Sequence, residues 1–355
     1  MNKNLQVILM YFITHVGLIF FMYPTDIIES ASRTHWVPIF IGMVFHLVFI
    51  WIYMKGLSYF PGKNIIDIYM EKGKGLSLIF LIPIIGYFFL ANITTVRAYS
   101  EIINIVFLSE TPLWATMIPF LFIATYIAAK GINVIFHTAF IVACVFLPLF
   151  LFIFILSFQN VDWRYFFPLF DIDYSFISNR SYYKSFFSFA GVFLFLGFIQ
   201  PYHTYDRKKV FLSAILLLPF FLFSVYVPIL TFGQATSATF QFPFVTALDS
   251  VYISWLVFDR ITMFFLISLL IFIMIFLSLL LWMVCSILVH FVPIVKHSYV
   301  LYFLSILIFI ICVMLPDWKV VENLFWWNTY FRFYVILVIP FSVLIFGVRS
   351  KRKVR

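Results

Sequence analysis

Residues 14–24 read THVGLIFFMYP and residues 191–201 read GVFLFLGFIQP. Each lies within a long apolar run, contains glycine and ends in proline. Proline has no backbone N–H and cannot continue a helix from within. In a membrane, the freed backbone groups must be satisfied by other protein groups or line a cavity. The two stretches therefore predict two broken transmembrane helices.

The composition of the whole chain indicates a membrane protein. Of its 355 residues, 65% are hydrophobic and 10% are charged, whereas about a quarter of the residues in a soluble domain are charged. So few charges cannot cover a water-exposed surface, so a soluble enzyme is excluded, and such high hydrophobicity also excludes a disordered chain. Continuous apolar runs, without alternation at period two, favour helices over a β-barrel.

Ten apolar segments are candidates for crossing the membrane. The two interrupted stretches fall in the first and the sixth, which are corresponding positions in two halves, and such a pair is typical of transporters with inverted repeats. We therefore predict an all-α membrane domain over residues 1–355 with ten transmembrane helices. It has two inverted five-helix repeats (about 5–158 and 184–347), broken helices one and six, and a basic tail at 348–355. The segments are about 5–25, 36–56, 76–108, 112–129, 133–158, 184–203, 209–232, 256–291, 297–315 and 325–347.

Lysine and arginine are unevenly distributed between the two sides of the membrane. With both termini on one side, that side carries 15 of these residues and the opposite side carries 5. Because cytoplasmic loops are enriched in lysine and arginine, we expect both termini to be cytoplasmic. The net charge of +9 is then a signal of topology, not of nucleic-acid binding. The basic tail is expected to contact anionic lipid, the alternative being a docking site for a partner.

Function in a membrane protein is expected where polar groups interrupt the apolar pattern. Thr14, Gly17 and Pro24 are candidates because a broken helix exposes backbone groups that can bind a carboxylate or an amine. The alternative is that Gly17 allows close helix packing and Pro24 ends the helix. Arg97 and Glu101 are four residues apart and can pair on one helix face, either as a gating pair or as a structural ion pair.

Further candidates lie in the third, sixth and eighth segments. Tyr87 and Ala91 share one face near the middle of the bilayer, where a pocket wall would lie, and Gly191 interrupts the sixth segment. Asp259 and Arg260 open the eighth segment, as a functional pair or as an interfacial pair that reaches for water. The sequence has no phosphate-binding loop, zinc motif or recognisable serine nucleophile, so no enzyme, metal or cofactor is predicted.

At residues 86–112, GYFFLANITTVRAYSEIINIVFLSETP, the sequence resembles the B subunit of nutrient germinant receptors in endospore-forming bacteria. That family lies within the amino acid–polyamine–organocation transporter superfamily. The shared features are the Gly-Tyr start, the arginine and glutamate four apart, and the closing Thr-Pro. The stretches at 14–24, 167–170 (FPLF) and 258–261 (FDRI) are also similar to the family, and the resemblance covers nearly the whole chain.

The resemblance implies a LeuT-like fold and a receptor in the spore inner membrane. It also implies that the receptor works with an A subunit and a lipoprotein C subunit and binds a small nutrient, often an amino acid. Together with the patterns above, it gives two predicted groups of residues. The ligand-binding group is Thr14, Gly17, Leu18, Tyr87, Ala91, Gly191 and Phe193. The gating or framework group is Pro24, Arg97, Glu101, Asp259 and Arg260.

The sequence departs from the family pattern at three positions. Ile19 stands where a second glycine is common in the first segment, and Phe193 stands where an acidic residue is common in the sixth. Thr262 replaces the second acid of the motif in the eighth segment. The resulting pocket is expected to be smaller and less polar, and ligand binding to be weakened or altered.

Three functions agree with these observations. The first is a receptor subunit that senses a nutrient. The second is a proton-coupled amino acid permease in which Glu101 is the coupling residue. The third is a structural subunit that stabilises the receptor complex without binding nutrient, which the substitutions in segments one and six favour over a permease.

Overall fold

The structure is a computed structural model that describes residues 3–168, 170, 174–189, 192–251 and 261–354, the side chains of 352–354 excepted. The described part contains sixteen α-helices and three short 3-10 helices. The α-helices are α1 (Lys3–Ile19), α2 (Tyr23–Ser30), α3 (Trp36–Leu57), α4 (Ile65–Met70), α5 (Lys74–Val106), α6 (Leu113–Ala129), α7 (Ile132–Leu156), α8 (Arg180–Ser185), α9 (Phe195–Phe198), α10 (Arg207–Ile215), α11 (Leu218–Phe232), α12 (Gln234–Ser237), α13 (Pro243–Asp249), α14 (Ile261–Phe291), α15 (His297–Met314) and α16 (Trp318–Val354).

The helices follow the ten predicted segments. Within the described residues, α3, α5, α7, the α10–α11 unit, α14, α15 and α16 are each long and apolar enough to cross a membrane. α1 and α2 form a bent pair in the first segment, and α6 is a shorter apolar helix in the fourth. The described residues of the sixth segment include the end of α8, a 3-10 turn and α9. The prediction of an all-α membrane fold with breaks in segments one and six is confirmed.

Three helices are longer than the hydrocarbon core of a bilayer. α5 has 33 residues and α14 has 31, as their long apolar runs predict, and at 1.5 Å per residue α5 is about 50 Å long. α16 has 37 residues and extends at both ends beyond the predicted 325–347. Lysine and arginine are good helix formers, so the helix continues into the basic tail instead of ending with the apolar residues.

α14 lies at the centre of the bundle, in contact with α1, α5, α6 and α7. α16 packs along α3 and α5 on another side. The close approach of α16 to α3 requires Gly56, because a Cβ there would lie 2.7 Å from the backbone nitrogen of Leu344. These contacts place α1 between α14 and α7, so the first broken helix lies inside the protein.

The described part of the connection from α11 to α14 contains two short helices, α12 and α13. α13 is not a surface element, since Phe244 and Leu248 are buried. The ring of Phe244 lies 4.6 Å from that of Phe20, between centroids. α13 therefore covers the point where the first helix breaks.

Candidate functional site

The first broken helix changes direction at residues 20–22. α1 ends at Ile19 and α2 begins at Tyr23, with the two helices bent by 53°. Pro24 lies in the first turn of α2, where the missing N–H of proline has no helical partner to lose. The break leaves carbonyl groups in the last turn of α1 without helical partners.

Side chains from other elements bond two carbonyl groups at this break. The Tyr99 hydroxyl of α5 donates to the carbonyl oxygen of Gly17 at 2.5 Å, and the Ser188 hydroxyl donates to that of Leu18 at 3.2 Å. A Cβ at Gly17 would lie 3.1 Å from Cδ1 of Ile273, so this glycine also brings α1 close to α14. The break is therefore held by α5, by α14 and by the segment that follows α8.

Aromatic rings fill the space beside the break. Phe20 and Phe21 are almost fully buried. The ring of Phe20 meets those of Phe150 and Phe244 edge-on at 5.2 and 4.6 Å, and Phe21 stacks on Tyr99 at 4.5 Å. The surroundings of the break are accordingly apolar, and its backbone groups are reached by protein hydroxyls.

Two side chains of α3 form hydrogen bonds with the backbone of the sixth segment, between α8 and α9. Nδ1 of His46 lies 2.8 Å from the carbonyl oxygen of Phe189, and the Tyr53 hydroxyl donates to the carbonyl oxygen of Leu194 at 3.1 Å. Phe193 is fully buried, with its ring near those of His46 and Tyr53. Side chains of a neighbouring helix thus bond these two carbonyls, as at the first break.

A buried polar chain connects α1, α3 and the sixth segment. Because Nδ1 of His46 faces the carbonyl of Phe189, that nitrogen carries the proton, and Nε2 accepts a hydrogen bond from the Tyr11 hydroxyl. Nδ1 of His15 in turn donates to the carbonyl oxygen of Tyr11 at 2.7 Å. This set of hydrogen bonds contains no acidic side chain, and it joins the two broken helices.

The far halves of the two broken helices are joined by charge. Asp26 of α2 and Lys184 of α8 lie 3.1 Å apart, and their side chains are 2% and 13% exposed. One turn further along α2, Glu29 accepts from the Ser181 hydroxyl at 2.9 Å through its carboxylate and from the Asn179 amide at 3.1 Å through its carbonyl. These contacts hold α2 and α8 together.

A third charge, Arg332 of α16, lies beside this pair and is 0% exposed. Its Nη1 donates to the carbonyl oxygens of residues 183 and 184, near the end of α8, at 3.3 and 2.7 Å. The guanidinium lies over the ring of Phe325 at 4.8 Å and over that of Phe187 at 5.3 Å. Arg332 thus holds the end of α8 against α16.

The structure places the predicted residues at different points of this region. The Thr14 hydroxyl donates to the carbonyl oxygen of Met10 in its own helix at 2.7 Å. The Tyr87 hydroxyl interacts with the guanidinium of Arg332, and Ala91, one turn along α5, is buried. Gly17, Leu18 and Phe193 are packed as described above, and the ligand roles of all these residues stay predictions.

The predicted pairing of Arg97 with Glu101 is found: the two side chains form an ion pair on α5, and Arg97 is buried. Its gating role stays a prediction. Gly191, Asp259 and Arg260 lie outside the described residues.

Several residues of the site are not among the sequence candidates, and they include five polar residues. Asp26, Lys184 and Arg332 carry charge, and Tyr99 and Ser188 cap the first break. A charge inside an apolar segment is a signal of function, and for Arg332 that signal is present in the sequence. The partners of the other four residues are set by packing, which no local pattern reports.

Comparisons with known proteins agree with this architecture. The family model described as "Spore germination protein" matches residues 3–319. A protein of Bacillus subtilis (strain 168), "Putative spore germination protein YfkT", is 28% identical over 108 residues, which is 30% of this chain and 30% of the length of that relative. The crystal structure of MhsT in complex with L-phenylalanine matches with a TM-score of 0.69 at 12% identity, over 97% of this chain and 98% of that one.

The likeness to MhsT shows the fold, which is that of LeuT-like transporters. The family match extends over most of the sequence, from α1 to the start of α16. The chain therefore belongs to the spore germination protein family and has the helical membrane fold of a LeuT-like permease.

Proposed function

We propose that the chain is the nutrient-sensing B subunit of a spore germinant receptor, working with an A subunit and a lipoprotein C subunit in the spore inner membrane. Membership of the spore germination protein family supports the role in germination. The fold supports small-molecule recognition, since the similar MhsT structure is a complex with L-phenylalanine. We infer that the chain binds a ligand and does not catalyse a reaction.

The observation that carries this proposal is that the two broken helices are joined to each other. Asp26–Lys184 links α2 to α8, and Ser188, which follows α8, donates to the Leu18 carbonyl at the end of α1. In this proposal the protein also adopts a second arrangement, in which these contacts between the broken helices are released. A ligand shifts the balance between the two only through its different affinity for them. In this proposal the nutrient favours one arrangement, and the partner subunits detect the change.

The predicted ligand residues remain the proposed contacts at the middle of the membrane. They are Thr14, Gly17, Leu18, Tyr87, Ala91, Gly191 and Phe193. The excess of lysine and arginine on the side of the termini supports a cytoplasmic location for both ends of the chain. The gating group, which includes the ion pair of buried Arg97 with partly exposed Glu101, would transmit the change along α5.

A proton-coupled amino acid permease is the second candidate. The observation that favours it is Glu101, an acidic residue in a transmembrane helix beside Arg97. A third candidate, a structural subunit without a ligand, is favoured by the aromatic rings around the first break.

Spores that lack the gene test the three candidates together. The spores are challenged with single nutrients while germination is followed, and amino acid uptake is measured in vegetative cells. Loss of the response to one nutrient, with normal uptake, is expected for the sensing subunit. Normal germination with lost uptake would indicate the permease. Loss of every response together with loss of the A and C subunits from the membrane would indicate the structural subunit.

A paired substitution tests whether the first break takes part. Gly17→Trp pushes α1 away from Ile273 and closes the space at the break, so we expect the nutrient response to be lost. Gly75→Trp is the matched control, because a Cβ at Gly75 meets nothing within 4 Å. Immunoblots of spore membranes establish that both proteins are made. An unchanged response with Gly17→Trp would exclude the break from ligand sensing.

A further inference from the structure

The guanidinium of Arg332 is only partly used by its contacts with the protein. It lies near the rings of Phe187 and Phe325, and Nη1 donates to the backbone carbonyls at the end of α8. The remaining atoms, Nε and Nη2, have no hydrogen-bond partner within the described part of the chain. Nε and Nη2 form the side-on edge of arginine, which is the edge that binds a carboxylate through two parallel hydrogen bonds.

A second buried group without partners lies one turn away on the same helix. Asn328 is 0% exposed, and neither Oδ1 nor Nδ2 has a hydrogen-bond partner among the described residues. Residues four apart on a helix are neighbours on one face, so Asn328 and Arg332 line the same side of α16. Buried polar atoms are nearly always paired with protein or with a ligand or water, so two such side chains together indicate an occupant.

The local charge shows which occupant fits. Lys184 and Arg332 are two buried or nearly buried cations, and Asp26 is the one fully buried anion beside them, 3.1 Å from Lys184. These three side chains therefore leave one positive charge without a direct partner. Glu29 and Glu322 interact electrostatically with Lys184, and neither glutamate is fully buried. A buried charge without a partner is costly, and a small anion with two coplanar oxygens would compensate it.

We propose that the Nε–Nη2 edge of Arg332, with the amide of Asn328, is a subsite for the carboxylate of a small organic acid such as an amino acid. The choice of an amino acid as the ligand rests on the proposed sensing function. The subsite differs from the predicted one, in which the backbone of broken helix one holds the carboxylate. Tyr99 and Ser188 already bond that backbone. The carboxylate would lie beside Tyr87, whose hydroxyl interacts with the same guanidinium.

The subsite also gives binding a mechanical consequence. Arg332 contacts α8 through Nη1, and α8 contacts α2 through Lys184 and Asp26. A carboxylate on the free edge would compete with Asp26 for the positive charge around Lys184 and Arg332. Ligand binding would thus change the contact between the two broken helices.

The test compares an acid with its amide on the purified full-length protein in nanodiscs. Each of the twenty L-amino acids is supplied singly, and binding is measured by the rise in thermal unfolding temperature and by calorimetry. For every amino acid that binds, its uncharged-carboxyl amide is measured next. We expect the amide to bind about 10- to 100-fold more weakly, because charge-assisted hydrogen bonds are lost.

Variants then assign the loss to one side chain. Arg332→Lys keeps the charge but removes the fork, and we expect it to weaken acid binding by a similar factor and to abolish the preference for acid over amide. Arg164→Lys is the control, since the Arg164 side chain is 90% exposed and pairs with Asp162 in a loop. The acid–amide comparison on the unmodified protein needs no variant, so it stands even where Arg332→Lys fails to fold.

Four results would overturn the subsite. They are equal binding of acid and amide, a retained acid preference in Arg332→Lys, protection by sodium chloride alone at the same concentration, and no binding by any amino acid. If gene-deleted spores lose a nutrient response while no amino acid binds, the subsite fails and the sensing function stands. If the spores respond normally while the carboxylate binds through Arg332, the sensing function fails and the subsite stands.

Discussion

The break in the first helix and the cluster formed by Asp26, Lys184, Asn328 and Arg332 are both buried and contain polar groups. They differ in whether those polar groups have hydrogen-bond partners. At the break, the carbonyls of Gly17 and Leu18 receive hydrogen bonds from Tyr99 and Ser188. In the cluster, Arg332 and Asn328 have side-chain polar atoms without hydrogen-bond partners among the described residues. The sequence predicts ligand contacts at the break, whereas the structure shows unpaired polar atoms in the cluster.

The difference indicates separate purposes for the two regions. A buried polar group that is fully paired contributes to stability and to one defined arrangement. A buried polar group without a partner costs free energy unless something else binds it. We therefore expect loss of the capping hydroxyls at the break to act first on stability, and loss of the unpaired groups in the cluster to act first on the response to ligand. The ion pair that closes the cluster is the exception, because it holds α2 and α8 together.

The largest effect is expected for Lys184→Met. Removal of the lysine leaves the Asp26 carboxylate buried without its direct partner, which costs about 3 kcal/mol or more of unfolding free energy. Thermal unfolding in detergent measures the loss. The double variant Asp26→Asn with Lys184→Met removes both charges and should recover most of it. Lys63→Met, which breaks the half-exposed pair with Glu71, should cost less than about 1 kcal/mol.

An intermediate effect is expected at the break from Tyr99→Phe. The substitution keeps the ring that stacks on Phe21 but removes the donor to the Gly17 carbonyl. A buried acceptor without a donor costs about 1–3 kcal/mol. Tyr334→Phe is the matched control, since the Tyr334 hydroxyl donates to the Ile79 carbonyl at an exposed position. Equal unfolding temperatures for the two variants would show that the break does not depend on Tyr99.

A small effect on stability is expected from Asn328→Leu. Because neither amide atom of Asn328 has a partner in the described chain, an apolar side chain of similar volume should change the unfolding free energy by less than about 1 kcal/mol. The same variant should lower the stabilisation by any amino acid that binds. A large loss of stability would place Asn328 with the paired groups of the break and remove it from the subsite.

The smallest effect is expected from a change of pH between 7 and 6. His35, which follows α2, is buried, and burial lowers its pKa to about 4. The unfolded chain therefore binds a proton near pH 6.5 that the folded chain does not, so stability falls as the pH falls, by about 0.7 kcal/mol between pH 7 and 6. His35→Gln keeps a donor for the Ala31 carbonyl and should remove this part of the pH dependence. An identical pH profile in the variant would assign the dependence to other groups.

The sequence also sets the limits of what could be predicted about the site. The pairing of Arg97 with Glu101 follows from a spacing of four on one helix. The bonds at the break do not, because Tyr99 is 82 residues from Gly17 and Ser188 is 170 residues from Leu18. The length of α16 was underestimated because an apolar run marks the membrane, whereas the helix continues through residues that favour helix in water.

The amino-acid sequence is enough to predict an all-α membrane protein with ten apolar segments, of which the first and sixth are interrupted. Those features depend on local properties: the length of apolar runs, and proline residues that cannot continue a helix. Which buried polar atoms are paired, and which have no partner, becomes known only from the folded structure. That outcome depends on side chains from helices far apart in the chain, such as Asp26, Lys184 and Arg332, and their meeting is set by the packing of the whole bundle.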